Sequence, residues 1–464
     1  MSNKPTDKIL VIADDLTGSG DTAVQYAKRG STAVIHLDAT EQFVWQQHVN
    51  VHVVNTHSRS LPPEAAATRV RASVDTVDWS QFTHVYKKID STFRGNIGAE
   101  MDALLDAGGF DCAILTPAYP QQKRIVEGGY LLVDGRLLED TPAVDDPVHP
   151  VRSSYLPELL KEQSQAQIIR VDVKEMRRHA DDADAHFDQH VADFLNRLTP
   201  VRADADNRKL CYLFDAATEG DLQYIAAAVH AANRHVLWIG SAGLAGALAS
   251  CTHSGNRSIR RSAFADEPLQ QTVASGADIL DVLVVAGSMH PIARKQAAYL
   301  RELGFGWLEL DPVQLACGHM PLSEAQLRSW AASRRSGGFV LTTAHTAAVR
   351  HKLAQLCQRK RWTSVQAGER IAASLGKLTA ALTVKWNLSG LVLTGGDISY
   401  ATMKALDIHA LEVIGEVEEG LPHSRPVEKN GSHLTIVTKA GGFGNEQTLG
   451  RAAYAAGTVR RMEQ

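Results

Sequence analysis

The sequence lacks several patterns that mark common protein classes. Its 464 residues include five cysteines without a C-x-x-C pair, so neither a zinc site nor a disulfide framework is indicated. No apolar run approaches the roughly 20 residues of a membrane span. The formal net charge of −4 argues against a nucleic-acid-binding protein that relies on bulk positive charge. These absences favour a cytoplasmic protein with reduced thiols and with neither nucleic-acid nor membrane partners.

Two common motifs of phosphate and metal chemistry are also absent. The chain has no G-x-x-x-x-G-K-[ST] phosphate loop and no H-E-x-x-H metal site. The stretch GSGDTA at 18–23 fits a loose form of the dinucleotide fingerprint, but Asp14, Asp15 and Asp21 crowd that loop with negative charge, the wrong sign for a pyrophosphate. A dehydrogenase therefore remains an alternative that depends on this stretch alone.

Short apolar runs alternate with amphipathic stretches along the chain. ILVIA, VHVVN and CAILTP are typical of buried strands, and the helical stretch after residue 96 places Ile97, Met101, Leu104 and Leu105 on one face. This alternation predicts an α/β fold with largely parallel sheets. Residues 250–277 are polar and basic without a clear period, so we expect two α/β domains, at 1–250 and 278–464.

The first apolar run ends directly in two adjacent aspartates, Asp14 and Asp15. Strand formation does not require such a pair, and open α/β sheets bind ligands at the carboxyl ends of their strands. Small residues follow, and a helix is predicted to begin near Thr22 with Asp21 as its cap. A single aspartate here is often only a turn former. The pair indicates a polar site whose chemistry the stretch alone does not define.

The densest polar cluster is YKKIDSTFRGNIGAE, residues 86–100. Lys88 and Arg94 can neutralise a carboxylate or a phosphate, and Asp90 can accept a proton from a hydroxyl. The predicted strand-to-helix junction also offers backbone amides and a helix dipole to an anion. A solvated loop with local ion pairs is the plainer alternative. Arg59, in NTHSRS, adds a cation at another strand end.

Three predicted strand ends of the second half carry glycines. They are Gly287 with Ser288, Gly395 and Gly396 with Asp397, and Gly441 and Gly442 with Gly444. One glycine pair is usually only a turn, whereas three such ends in one domain suggest a backbone that approaches a phosphorylated ligand closely. The second half is therefore predicted to bind a nucleotide.

Together these motifs resemble those of the four-carbon acid sugar kinases, the family of D-threonate and D-erythronate kinases. The motifs that carry the resemblance lie in family order and span nearly the whole chain: IADDLTGSGDT, NTHSRS, YKKIDSTFRGNIGAE, GSAGLAGALA, GSMHP, TGGD and KAGGFG. The resemblance implies an N-terminal acid-sugar domain, a C-terminal ATP domain and an active-site cleft between them. ATP and Mg²⁺ are the implied cofactors, and a homodimer is left open. Two departures are Ile398, where threonine is common, and GSGD at 18–21, where GAND is common.

The resemblance also implies two sets of site residues. The acid-sugar site comprises Asp14, Asp15, Arg59, Lys88, Asp90, Ser91 and Thr92. The ATP site comprises Ser288, Gly395, Gly396, Asp397, Gly441 and Gly442. Asp90 and Asp14 are both candidates for the carboxylate that orients the attacking hydroxyl, and the sequence leaves that choice open. No motif indicates the metal ligands.

The implied activity is ATP-dependent phosphorylation of a four-carbon sugar acid, with D-threonate converted to 4-phospho-D-threonate as the first choice. D-erythronate, L-threonate and 3-oxo-tetronate remain alternatives, because one or two hydroxyl contacts decide stereochemistry. A non-catalytic nucleotide or sugar-acid sensor is an alternative of a different class. Such a sensor would keep the glycine loops but would not need a carboxylate to orient a hydroxyl.

Overall fold

The structure is a computed structural model that describes most of the chain. The described residues are 7–38, 46, 48–145, 150–172, 209–252, 280–287, 291–319, 322–335, 337–427 and 433–462. The chain divides into two compact units, Met1–Arg257 and Ser258–Gln464. The polar stretch that suggested a domain boundary lies largely outside the described residues.

The first unit contains a sheet of eight parallel strands, counted over its described residues. The strands of this unit are β1 (Ile9–Ala13), β2 (Ala33–His36), β3 (Val51–Asn55), β4 (His84–Lys88), β5 (Cys112–Thr116), β6 (Arg124–Glu127), β7 (Tyr130–Val133), β8 (Arg136–Leu137), β9 (Gln167–Val171), β10 (Leu210–Phe214) and β11 (Val236–Gly240). The spatial order in the parallel sheet is β2-β3-β1-β4-β11-β5-β10-β9, and β6, β7 and β8 form a separate antiparallel sheet. The helices are α1 (Leu16–Ala27), α2 (Pro63–Val74), α3 (Ile97–Gly108), α4 (Leu156–Gln163), α5 (Glu219–Ala231) and α6 (Ala242–Thr252).

Strand β1 lies between β3 and β4 in the sheet of the first unit. It pairs in parallel with β3 on one side and β4 on the other, and all five of its residues are fully buried. This burial on both faces explains the continuous apolar run. Ala13 lies opposite Asn55 and Lys88 in the two pairings. The polar residues that follow these three strands therefore emerge at one edge of the sheet.

Helix α1 begins earlier than the sequence predicts. Asp15, not Asp21, is its N-cap and accepts a hydrogen bond of 2.8 Å from the Gly18 amide, so the helix starts at Leu16 instead of near Thr22. The prediction was wrong because the small residues after Leu16 form helix, not a turn. At Gly18, a β-carbon would lie 2.6 Å from Asp15 Oδ1 and 3.0 Å from Lys88 Nζ. The glycine is therefore needed for close packing of the helix on the site.

Helix α3 has the predicted apolar face. Ile97, Met101, Leu104 and Leu105 are all buried. The helix ends at a left-handed glycine, Gly109, whose φ is 63°.

The second unit is also α/β. Its strands are β12 (Val282–Ala286), β13 (Gly306–Leu310), β14 (Phe339–Thr343), β15 (Gly390–Thr394), β16 (Ala410–Glu416), β17 (Pro422–Pro426) and β18 (Thr435–Lys439). They form a sheet in the order β13-β14-β12-β15-β18-β17-β16, in which the first five strands are parallel and β17 is antiparallel to both neighbours. The helices are α7 (Pro291–Glu302), α8 (Pro312–Ala316), α9 (Glu324–Ser333), α10 (Ala347–Lys360), α11 (Ser364–Lys385), α12 (Gly396–Ala405) and α13 (Thr448–Met462).

The hydrophobic core of the second unit joins the sheet to the helices that cover it. Val284, Val392 and Val437 of three neighbouring strands belong to one cluster, which also includes Leu300 of α7 and Leu449 of α13. The prediction of two α/β domains with largely parallel sheets is confirmed. Among the helices that the structure describes, none combines the length and the apolar character needed to cross a bilayer.

Candidate active site

Arg59 joins the two adjacent aspartates at the end of β1. Its guanidinium donates to Asp14 Oδ2 at 2.8 Å and to Asp14 Oδ1 at 2.7 Å, and makes two hydrogen bonds of 2.7 Å with Asp15. The backbone is fixed as well, because the amides of Ser58 and Arg59 donate to the Asp14 carbonyl at 3.0 and 3.2 Å. The repulsion between adjacent carboxylates is thus offset by a shared cation.

The charges of Asp14 and Arg59 stabilise each other, so both side chains stay ionised. Burial raises the pKa of Asp14, but the charges of Arg59 and Lys87 outweigh burial, so its pKa lies below the ordinary value. Burial lowers the pKa of Arg59, whereas Asp14 and Asp15 raise it, and the result lies well above the ordinary value. The Arg59 guanidinium is therefore already shared by two ionised carboxylates.

Asp90 is held by a second arginine. Arg94 donates from Nε to Asp90 Oδ2 at 2.7 Å and from Nη2 to Oδ1 at 3.1 Å, and the Thr92 hydroxyl also donates to this carboxylate. Burial raises the pKa of Asp90, but Arg94 and Arg59 outweigh burial and hold it well below its usual range. Asp90 is therefore an ionised hydrogen-bond acceptor at neutral pH.

The backbone of the turn after Asp90 lies close to the Asp14 carboxylate. Ser91 lies half-buried in this turn, and Gly95 has a φ of 104° that favours glycine. A β-carbon on Gly95 would lie 3.1 Å from Asp14 Oδ2. Lys88 is buried nearby and donates from Nζ to the Ile89 carbonyl at 2.9 Å. The structure therefore brings Asp14, Asp15, Arg59, Lys88 and the 90–95 turn to one sheet edge.

A buried polar network that the sequence analysis did not identify lies next to these residues. Glu100 of α3 forms an ion pair of 2.6 Å with Lys87, and the two side chains are 0% and 1% exposed. Its other carboxylate oxygen accepts a hydrogen bond of 2.8 Å from Ser58, and Ser58 contacts Thr56 at 2.7 Å. Burial raises the pKa of Glu100, and Lys87 only partly offsets that effect. The network ties β3, β4 and α3 together behind the site.

In the second unit, the TGGD motif forms a strand-to-helix turn. Gly395 follows β15 with a φ of 98°, and a β-carbon there would meet no atom within 4 Å. Gly396 opens α12, and Asp397 is exposed in the first turn of this helix. An open helix N-terminus of this kind suits an anion. Ser288, the other predicted ATP-site residue on a neighbouring strand end, lies outside the described residues.

The KAGGFG motif forms a loop arranged around a buried lysine. Lys439 Nζ donates to the carbonyls of Ala440, Gly441 and Phe443 at 2.6, 3.3 and 2.8 Å. Burial lowers the pKa of Lys439 to about 8. Gly441 is half-buried and Gly442 is exposed. Lys439 was quoted in the sequence motif but was not predicted as a site residue.

Ile398, the departure from the family pattern, is a packing residue. Its side chain is buried, and a β-carbon on Gly287 would overlap its Cδ1 atom. The isoleucine therefore packs against Gly287, directly after β12.

The residues that the structure describes include carboxylates that could bind a metal but no preformed metal cage. Within the described residues, no three acidic, histidine or cysteine side chains come together as a metal site. Mg²⁺ in phosphate-transfer sites keeps several waters and needs only one or two protein carboxylates. The exposed Asp397 at the first turn of α12 fits that limited role.

Comparisons with known proteins identify the family. A sugar-binding N-terminal domain matches residues 9–248, and a nucleotide-binding C-terminal domain matches residues 283–449. A D-threonate kinase from Salmonella typhimurium is 33% identical over 453 residues, which cover 96% of this chain and 98% of the relative. The chain belongs to the four-carbon acid sugar kinase family. The predicted resemblance and the assignment as a kinase are confirmed.

Further relatives agree with this assignment. A D-threonate kinase from Bordetella bronchiseptica is 32% identical and covers 96% of this chain and 97% of its own length. A 3-oxo-tetronate kinase from Methylobacterium radiotolerans is 29% identical and covers 95% of this chain and 97% of its own length. A crystal structure from Haemophilus influenzae shares the fold, with a TM-score of 0.67, 24% identity, and coverage of 96% of this chain and 98% of its own.

Proposed function

We propose that this kinase transfers the γ-phosphate of ATP to the terminal hydroxyl of D-threonate. The observation that supports the substrate class best is the cluster of Asp14, Asp15 and Arg59, which lies in the part of the chain matched by the sugar-binding domain. Paired carboxylates and cations at one sheet edge suit a small polyol acid. D-threonate is the first choice because the D-threonate kinases are 31–33% identical over nearly the full chain.

The proposed roles of Asp14 and Asp90 follow from their ionisation. Phosphoryl transfer from ATP depends mainly on positioning and charge neutralisation, with a carboxylate to orient the attacking hydroxyl. Both pKa values lie below the ordinary range, so either group accepts a hydrogen bond from a substrate hydroxyl at neutral pH. Asp15 is the helix cap of α1, and its proposed role is to fix the position of Arg59.

The substrate carboxylate is proposed to bind Arg59 and Lys88. Lys88 lies beside Gly18 at the start of α1, and its charge acts on Asp14. Ser91 and Thr92 are proposed to contact the remaining hydroxyls from the turn after β4. Because Arg59 already holds two aspartates, we expect the acid to rearrange some of its hydrogen bonds on binding.

The nucleotide is proposed to bind the second unit. Gly395, Gly396, Gly441 and Gly442 would present their backbone to the phosphates, with Ser288 as a further contact. Asp397 is the proposed protein ligand of Mg²⁺, whose chemical contribution is to neutralise phosphate charge. A cleft between residues 1–250 and 278–464, a homodimer and a cytoplasmic location stay predictions.

A coupled ADP-release assay over four-carbon sugar acids with ATP and Mg²⁺ tests this function. We expect turnover with D-threonate to exceed that with D-erythronate, L-threonate and 3-oxo-tetronate. Asp14→Asn and Asp90→Asn identify the orienting carboxylate, since the variant with the larger fall in kcat at unchanged ATP affinity has lost it. Asp134→Asn, at an exposed turn with positive φ that asparagine tolerates, is the matched control. A protein that binds ATP and acid without ADP release would be a sensor instead.

A further inference from the structure

The loop after β18 is built around a buried lysine, Lys439. Lys439 is 0% exposed, yet its ammonium points at the carbonyl oxygens of Ala440, Gly441 and Phe443. A buried lysine is costly unless its donors are satisfied. Here three carbonyls of the following loop satisfy it, so the charge and the shape of the loop depend on each other.

The geometry of the peptide bond determines where the backbone amides of this loop point. In a planar trans peptide, the N–H of each residue points opposite to the preceding carbonyl. Because the carbonyls of residues 440, 441 and 443 converge on Lys439, the amides of Gly441, Gly442 and Gly444 face away from it. These three amides find no acceptor in the part of the chain that the structure describes. Backbone amides that have no protein acceptor at such a turn are available to hydrogen-bond an anion.

A second buried side chain holds the same loop. Gln296 of α7 is fully buried and donates from Nε2 to the carbonyls of Phe443 and Asn445 at 3.0 and 2.7 Å. Gly444, with a φ of 79°, lies where a β-carbon would overlap Thr448. The loop is therefore fixed from its inner side, and its conformation excludes a larger residue at position 444.

The loop is also tied to the TGGD turn. The Lys439 carbonyl accepts a hydrogen bond of 2.9 Å from the Gly395 amide, and Thr394 and Lys439 are partners in the pairing of β15 with β18. The two glycine turns consequently lie side by side at the carboxyl edge of the second unit's sheet. Their adjacency suits a ligand with several phosphates better than one with a single phosphate.

We propose that Lys439 is a positioning residue that shapes the 441–444 turn to bind the nucleotide's phosphates through backbone amides. The lysine itself does not contact the ligand, since its donors are used by the loop. This inference rests on the proposed function, because it takes ATP as the ligand of the second unit.

Lys439→Met tests the proposal through binding, not turnover. We expect calorimetry to show at least a tenfold loss of ATP affinity, while ligand-observed NMR shows unchanged binding of adenosine, which lacks phosphates. A lysine that only stabilised the fold would not separate the two ligands. Lys385→Met, which removes an exposed lysine paired with Glu324 in the same unit, is the matched control and should bind ATP as the wild type does.

Gln296→Leu is the second variant, and it tests the proposal if Lys439→Met does not fold. It removes the two hydrogen bonds from Gln296 to the loop without changing the charge. We expect a loss of ATP affinity that is smaller than that of Lys439→Met, with adenosine binding again unchanged. Folded variants that bind ATP as tightly as the wild type overturn the proposal, as does an equal loss of ATP and adenosine binding, or a wild type that does not bind ATP. A wild type that binds ATP but phosphorylates no sugar acid refutes the proposed function alone.

Discussion

Glu100→Gln removes one partner of the buried ion pair in the first unit. Glu100 and Lys87 are 2.6 Å apart and almost fully excluded from solvent, and the substitution removes the carboxylate charge that faces the buried Lys87 ammonium. Breaking a buried pair from one side costs about 3–5 kcal/mol, because an uncompensated charge stays in the interior. At about 2–4 °C per kcal/mol for a domain of this size, the midpoint of unfolding should fall by roughly 6–20 °C.

Differential scanning calorimetry measures this effect, and two variants make it specific. Lys87→Met with Glu100→Gln removes both charges and should recover much of the lost stability, since a neutral pair leaves no buried charge. Asp106→Asn breaks an exposed contact of 3.8 Å with Arg71 and should change the free energy of unfolding by less than about 1 kcal/mol. A Glu100→Gln midpoint within about a degree of the wild type would show that the pair is not buried as described.

Two further predictions concern a backbone conformation and a pH dependence. Gly395→Ala meets no atom but forces alanine into a φ of 98°, so we expect a loss of about 1–3 kcal/mol in stability and weaker ATP binding, and an unchanged ATP affinity would contradict the assigned turn. His36 and His52 contact each other at 3.0 Å, and burial lowers their pKa values from 6.5 to about 3 and about 4. The unfolded chain then takes up protons first, so chemical denaturation should show full stability above about pH 6.5 and a decline toward pH 4 of up to about 1.4 kcal/mol per pH unit for each histidine. A double glutamine variant with the wild-type slope would show that other groups cause the decline.

The strands were the most predictable part of the fold. ILVIA, VHVVN and CAILTP each form a strand, because burial on both faces of a parallel sheet demands continuous hydrophobic sequence. Strand β17 was missed because its sequence, PHSRP, resembles a loop. It is polar and has a proline at each end, and proline is uncommon inside a strand. Strands β6–β8 were also missed. They are only two to four residues long and form a small antiparallel sheet separate from the main sheet.

The site was predictable where its residues follow a strand in a recognisable motif. Asp14, Asp15 and Arg59 were identified in this way, and the structure brings them into direct contact. Glu100 and Gln296 were not identified, because each acts on a loop far away in sequence through contacts that periodicity does not reveal. Burial of a charged or amide side chain is decided by tertiary packing, so no local pattern indicated them.

The protein is proposed to phosphorylate the terminal hydroxyl of a four-carbon sugar acid. The most direct measurement is the proton-coupled ³¹P NMR spectrum of the product formed from D-threonate, ATP and Mg²⁺. We predict a phosphomonoester signal split into a triplet by the two protons of the terminal carbon, and loss of this signal in the more affected of Asp14→Asn and Asp90→Asn. A doublet from a secondary phosphate ester, or inorganic phosphate as the only new signal besides ADP, would contradict the account.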